Sequence, residues 1–365
     1  MTTTIERPPQ ATTGITNSLT TGRLPRWAPW AMLGASWAVL ILVFVFVQMA
    51  TGGDLNIALA LFLGTILFDI LIFVVAYLVE GARQARDRLA TSLVVSAFII
   101  ALLPLISLLF TVIVNGLGRF DLAFFGQSMR NVVGEGGGAL HAIIGTLLIT
   151  GMATIISVPV GLLSAIYLVE YGHGALARAI TFFVDVMTGI PSIVAGLFAF
   201  AFFALILDDP GIRFGFGGSV ALSLLMIPVV VRSSEEMLKL VPNELREAAY
   251  ALGVPKWLTI VKVVLPTSIA GITTGIMLAI ARVIGETAPL LIISGFTSSM
   301  NYDLFHNRMM SLPVYLYTQY ANPGSDVQPY LDRAWAGALT LILIVMALNL
   351  IARLIARIFS PKLGR

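Results

Sequence analysis

Eight stretches of the chain are almost unbroken runs of apolar residues, at about 28–49, 55–79, 89–114, 142–168, 179–207, 214–231, 268–294 and 335–358. A hydrocarbon layer about 30 Å thick needs roughly 20 such residues per crossing, so each run predicts a transmembrane segment. The runs are continuous and do not alternate, which predicts helices rather than barrel strands. Between the sixth and seventh runs the pattern changes. Over 232–267, Glu235, Glu236, Glu244 and Glu247 interleave with Met237, Leu238, Leu240, Leu245, Ala248 and Ala249. This reads as two short amphipathic helices hinged at Gly253, which suits the left-handed cap of the first. "WLTIVKVVLP" restarts a helix, and Pro266 marks where the next span begins.

Composition agrees with the pattern. Of 365 residues, 58% are hydrophobic and 11% charged, and the mean hydropathy is +0.94. Such a chain is an integral membrane protein. It has no Cys, which excludes disulfides, thiolate nucleophiles and Cys-zinc sites. His141, His173 and His306 have no helical pairing, so no metal site is expected. No nucleophile–base set, cofactor motif or nucleic-acid signature is legible, so the chain is not expected to be an enzyme. "GEGGG" at 134–138 lacks the Lys-Ser/Thr ending of a phosphate-cradling loop.

The net charge is only +3, but its placement sets an orientation. With the N-terminus inside, sixteen Lys and Arg fall in inside segments and five outside: Arg119, Arg130, Arg213, Arg308 and Arg333. The inside-positive bias therefore predicts both termini in the cytoplasm, with 232–267 on the same side. The expected organisation is a polar, disordered cytoplasmic tail at 1–27, a transmembrane hairpin at 28–79 and a basic linker at 80–88. A core at 89–358 and a short cytoplasmic tail at 359–365 follow. The first 26 residues lack a cleavable signal pattern.

Charge within the apolar runs marks candidate chemistry, because an ionised group inside a bilayer costs about 3 kcal/mol on insertion scales. Arg282 and Glu286 stand four apart in the seventh run, on one predicted helix face. Either they form a self-satisfied pair that fixes packing, or the guanidinium offers paired donors to a passing oxyanion while Glu286 holds it. Arg232 could meet an anion at the inner end of its span, or simply snorkel to the interface. Asp185 suits a partner for Arg178 or a helix N-terminal acid. Gly189 and Pro191 predict a kink that could serve gating. Asp69 is an isolated acid in an N-terminal span, suited to a hydrogen bond with a neighbouring helix, or more weakly to a proton role. Gly145, Gly151, Gly161, Gly189 and Gly196 suit close helix approach.

The loop carries a specific resemblance. Glu247-Ala248-Ala249, then Gly253, Val263, Leu265 and Pro266, resemble the EAA loop of type I ABC-importer permeases. "RSSEEMLKLVP", "ARVIGETAPLLIISGF", "DVMTGIPSIVAGLFAF", "GGGALHAIIGTLLI", "SLPVYLYTQYA" and "RAWAGALTLILIVMALNLIARLIAR" are similar to phosphate permeases of the PstA type, in order over about 89–358. The resemblance implies an all-α, MetI-like transmembrane domain of six core helices, so the two N-terminal spans are additions. It implies a bacterial cell-membrane location. It implies a PstC-type permease, a PstB-type ATPase dimer docked on the EAA loop, and a phosphate-binding protein outside, where 115–141 and 295–333 are the contact segments. It also implies a translocation role for Arg282 and Glu286. Importers of molybdate, sulfate or phosphonate, and a proton-coupled secondary transporter or channel using Asp69, Arg282 and Glu286, remain as alternatives.

Overall fold

The computed structural model describes residues 24–25, 27–52 and 56–359; most of the predicted N-terminal tail and 360–365 lie outside them. Among the described residues seven helices are long and apolar enough to cross a membrane, or eight if one sharply bent pair counts as a single crossing. The chain separates into two compact units, one through Leu108 and one from Leu109.

In the first unit, α1 (Ala28–Thr51) and α2 (Ile57–Glu80) form an antiparallel hairpin. Gly64 lets α2 close onto Trp37, whose indole N–H donates to Thr65 Oγ1 at 3.2 Å. The segment expected as a linker is mostly helical: only Gly81 separates α2 from α3 (Ala82–Gly116). Glu80 accepts the Leu24 N–H at 2.7 Å and two Arg88 nitrogens, so the join is clamped. Asp69 is buried and accepts the Ser92 hydroxyl, as expected of an acid facing a neighbouring helix.

The second unit is built around α8 (Gly215–Lys239), thirteen of whose residues are buried. It packs along α5 (Leu140–Ile166) and against α11 (Leu265–Val283), α7 (Ser192–Ile206) and α6 (Gly174–Gly189). Small residues set this closeness. A side chain at Gly161 would overlap Val230, and one at Gly275 would overlap Ser233. Gly145 and Gly196 likewise meet the backbone of Met310 and Pro289, whereas Gly151 and Gly189 face open space. The Ser219 and Ser223 hydroxyls donate to the Ile149 and Ala153 carbonyls of α5, at 3.0 and 3.4 Å. α14 (Gln328–Phe359) closes the bundle against α11 and the short α13 (Leu312–Ala321).

The kink expected at Gly189 and Pro191 is present, and two other expectations are corrected. In the fifth run α6 and α7 meet at 111° across Ile190–Pro191. Proline lacks the N–H a continuing helix needs and pushes its predecessor into extended backbone, so Ile190 sits at φ −70°, ψ 127°. The seventh run does not reach 294 as a helix. α11 ends at Val283, and α12 (Ala288–Ile293) starts afresh beyond a four-residue break. The segment 232–267 is not two short helices. Residues 232–239 complete α8, α9 (Asn243–Ala251) is short, and α10 (Lys256–Thr259) runs through a π turn, Ile260–Val264, directly into α11. Pro266 lies inside that helix. Its ring would clash with the carbonyl four residues back, and the wide turn before it, where the Leu265 N–H reaches the Ile260 carbonyl, makes room.

Candidate functional site

The knob formed by α9 and α10 is stiff for identifiable reasons. Gly253 has φ +74°, the left-handed region where a Cβ is costly. Its N–H donates to the Tyr250 carbonyl at 2.9 Å and the Val254 N–H to Ala249 at 3.1 Å, the paired bonds of a Schellman cap. The predicted left-handed cap is therefore present. Glu247, Ala248 and Gly253 lie exposed, and Ala249 faces inward. Val263 and Leu265 are half-buried in the π-turn region, and Pro266 is exposed.

The knob is also fastened from below by residues the sequence gave no reason to pair. α5 ends in a second π turn, Tyr167–Tyr171, which carries the buried Glu170. Arg246 of α9 donates to Glu170 Oε1 through Nε at 3.1 Å and Nη2 at 2.9 Å. Its remaining donors reach the Leu238 carbonyl at 3.0 Å, the Val241 carbonyl at 2.6 Å and Asn243 Oδ1 at 3.3 Å. Lys256 donates to the Glu170 carbonyl and lies 4.8 Å over the Tyr171 ring. Glu170 and Arg246 are 76 residues apart, so no helical spacing advertises them.

Arg282 lies in the last turn of α11, at the break. Gly271 packs on Met237 and Gly275 on Ser233, an antiparallel register that places Arg282 level with Met226, halfway along α8. With 25 residues, α8 is about 37 Å long, so this is near mid-depth. The guanidinium is exposed on the isolated chain. Arg282 and Glu286 do not share one helix, as the spacing had suggested. Glu286 follows the break, half-buried, and no ion pair joins the two. A helix interrupted at mid-depth presents backbone ends there, and such ends occur where they line a polar path. An exposed cation at that depth requires a polar path or a covering subunit, because lipid contact is expensive.

Arg232 is neither free nor simply snorkelling. It joins Asp185 of α6 and donates to Glu235 at 2.9 Å, and Lys239 reaches the other Glu235 oxygen at 2.6 Å. Asp185 thus pairs with Arg232 rather than Arg178. This network ties α6, one residue turn before the Gly189–Pro191 break, to the knob-side half of α8.

At the opposite end, the glycine-rich segment 134–138 encircles a cation. Arg333 is fully buried, and its Nη1 donates to the Gly134 carbonyl at 2.6 Å and the Gly136 carbonyl at 3.0 Å. Its Nε donates to Gln319 at 2.9 Å, and its guanidinium stacks 4.5 Å from the Tyr330 ring. Arg119 holds the Gly137 carbonyl at 2.8 Å. In the neighbouring loop, Asp303 caps the Phe305 N–H at 2.8 Å and pairs with His306 at 2.6 Å, contacts that hold its carboxyl below the usual range.

A helical bundle of this topology, interrupted at mid-depth and bearing a capped knob at one end, defines a membrane-spanning component of a transport system. Residues 157–365 match the family of binding-protein-dependent transport system inner membrane components, and the chain belongs to that family. More particularly, it is 48% identical over 276 residues to the phosphate transport system permease protein PstA 1 of Mycobacterium tuberculosis (strain ATCC 25618 / H37Rv). That alignment covers 75% of this chain and 88% of the relative. It is 40% identical over 277 residues to the phosphate transport system permease protein PstA of Yersinia pestis, covering 76% and 92%. A solved bacterial alginate ABC transporter, in complex with an alginate pentasaccharide-bound periplasmic protein, shares the fold. The TM-score is 0.53 at 15% identity, over 77% of this chain and 97% of that one.

Proposed function

We propose that this chain is the membrane-spanning permease subunit of an ATP-driven inorganic phosphate importer. The similarity to phosphate permeases along nearly their whole length supports the substrate. The structural observation that carries the reading is the exposed Arg282 at a helix break halfway through the bundle. A guanidinium donates two parallel hydrogen bonds to a tetrahedral oxyanion. Both termini and the knob lie in the cytoplasm in this reading, following the inside-positive bias. A PstC-type permease covers the exposed face and shares the path. A phosphate-binding protein docks outside near 115–141 and 295–333. A PstB-type ATPase dimer takes the knob at Glu247, Ala248, Ala249 and Gly253, and hydrolysis occurs there rather than in this chain. Glu286 flanks the break on the far side from Arg282. The Arg232–Asp185–Glu235 network and the Gly189–Pro191 break form the inner gate.

The test is labelled phosphate uptake by phosphate-starved cells lacking other high-affinity importers, with and without this gene and with ATP depleted. An ATP-dependent component is expected only with the gene. Arg282→Ala should lower it about tenfold or more, the worth of a charge-assisted hydrogen bond. Wild-type uptake by that variant would remove Arg282 from the path. Gene-dependent uptake of molybdate, sulfate or phosphonate with phosphate unchanged would move the substrate. Uptake that follows the proton gradient and ignores ATP would overturn the importer.

A further inference from the structure

We infer that the buried Glu170–Arg246 ion pair is the joint through which movement of the knob enters the membrane bundle. The inference rests on the knob being the ATPase-docking element.

By chain continuity alone, α9 communicates with α8 and, through α10, with α11. Both connections turn through non-helical residues: Leu240–Pro242 before α9, and Leu252–Pro255 after it. Glu170 supplies a third, non-covalent attachment. Its side chain is 5% exposed and that of Arg246 is 12%, so water screens neither charge well. The carboxylate takes two guanidinium nitrogens, and the same guanidinium caps the Leu238 and Val241 carbonyls at the end of α8. Lys256 adds a donor to the Glu170 carbonyl from the far side of Gly253. Both halves of the knob are thus held to one residue of the π turn that ends α5, and α9 to the end of α8 as well.

From there the route inward is continuous. α5 is the main packing partner of α8, and the bonds of Ser219 and Ser223 to its carbonyls resist sliding between the two. α8 carries Arg232 of the inner gate, and its midpoint lies level with Arg282. A displacement of the knob is therefore carried to α5 and α8 together, beside the covalent route through α10 into α11. Glu170 and Arg246 are positioning residues: they touch neither phosphate nor nucleotide.

The test uses the complete transporter, purified and reconstituted with its ATPase and binding protein. Glu170→Gln keeps the side-chain size and removes the charge. Retained ATPase co-purification and basal hydrolysis are expected. Stimulation by phosphate-loaded binding protein, and phosphate moved per ATP, should each fall at least fivefold. A second variant guards against simple misfolding. The chain has no Cys, so Glu170→Cys with Arg246→Cys introduces the only two thiols. A short bifunctional thiol cross-linker should restore stimulation, and reducing it away should remove it again. Wild-type stimulation and stoichiometry in Glu170→Gln overturn the joint while leaving the docking reading intact. Failure of the docking reading shows separately: Ala248→Trp on the exposed face of the knob would then leave ATPase co-purification unchanged.

Discussion

At the scale of single residues, Arg333 concentrates more stabilisation than its surroundings suggest. Its donors satisfy three carbonyl-type oxygens, from Gly134, Gly136 and Gln319, and the Gln319 bond is fully buried. Removing the guanidinium leaves Gln319 buried and unpaired and frees the loop carbonyls. Arg333→Ala should therefore cost about 3 kcal/mol or more. The variant should show a lower unfolding temperature in detergent and faster proteolysis between 130 and 140; unchanged values for both would mean that the loop holds itself. The role of "GEGGG" was not legible in the sequence, because its partner lies nearly 200 positions away. A separation of 76 residues likewise concealed Glu170 and Arg246. What the sequence did expose was local. Gly253 as a left-handed cap follows from residue type and helix end alone, and Asp69 as a bonded buried acid follows from the cost of leaving it otherwise.

At the scale of elements, the long apolar runs were legible because hydropathy over 20 residues is a strong signal. The interruptions within them were not. "IGET" at 284–287 is short and half apolar, so hydropathy runs through it while the helix stops at Val283. The Gly189–Pro191 break was legible as a kink, but its 111° angle depends on what α6 packs against. Two predictions belong here. At Gly253 the left-handed backbone costs a residue with a Cβ about 1–2 kcal/mol, and Asn tolerates it best. Phosphate uptake should therefore fall in the order wild type, Gly253→Asn, Gly253→Ala, Gly253→Val; equal uptake in all four would show that the cap is dispensable. Gly189 is different, since a side chain there meets nothing within 4 Å. Gly189→Ala should fold as well as wild type, within about 0.5 kcal/mol. Its uptake then isolates the gate: a change in transport rate supports a moving break, and none assigns Gly189 to the static shape.

At the scale of the whole molecule, charge asymmetry predicts an orientation, and the match to the phosphate permeases covers about three quarters of the chain. The first unit, through Leu108, is compact by itself and holds the buried Asp69. The second contains the knob, the helix break, the Arg232 network and the Arg333 loop. Adding two crossings leaves the orientation of all later ones unchanged. A chain lacking residues 1–80 should therefore insert with its C-terminus on the same side and still support ATP-dependent uptake. A C-terminal tag accessible from the opposite side, or loss of assembly with the ATPase, would assign the added hairpin an essential part.

The two π turns, Tyr167–Tyr171 and Ile260–Val264, both lie beside the knob. A π turn is the form a helix takes when it accommodates one residue too many. Because the extra residue is absorbed within the turn, removing it returns the helix to ordinary pitch while the faces on either side keep nearly the same direction. A lineage carrying this chain thus has, on both sides of the knob, a place where a single codon can be gained or lost while the knob and the membrane core keep their facing.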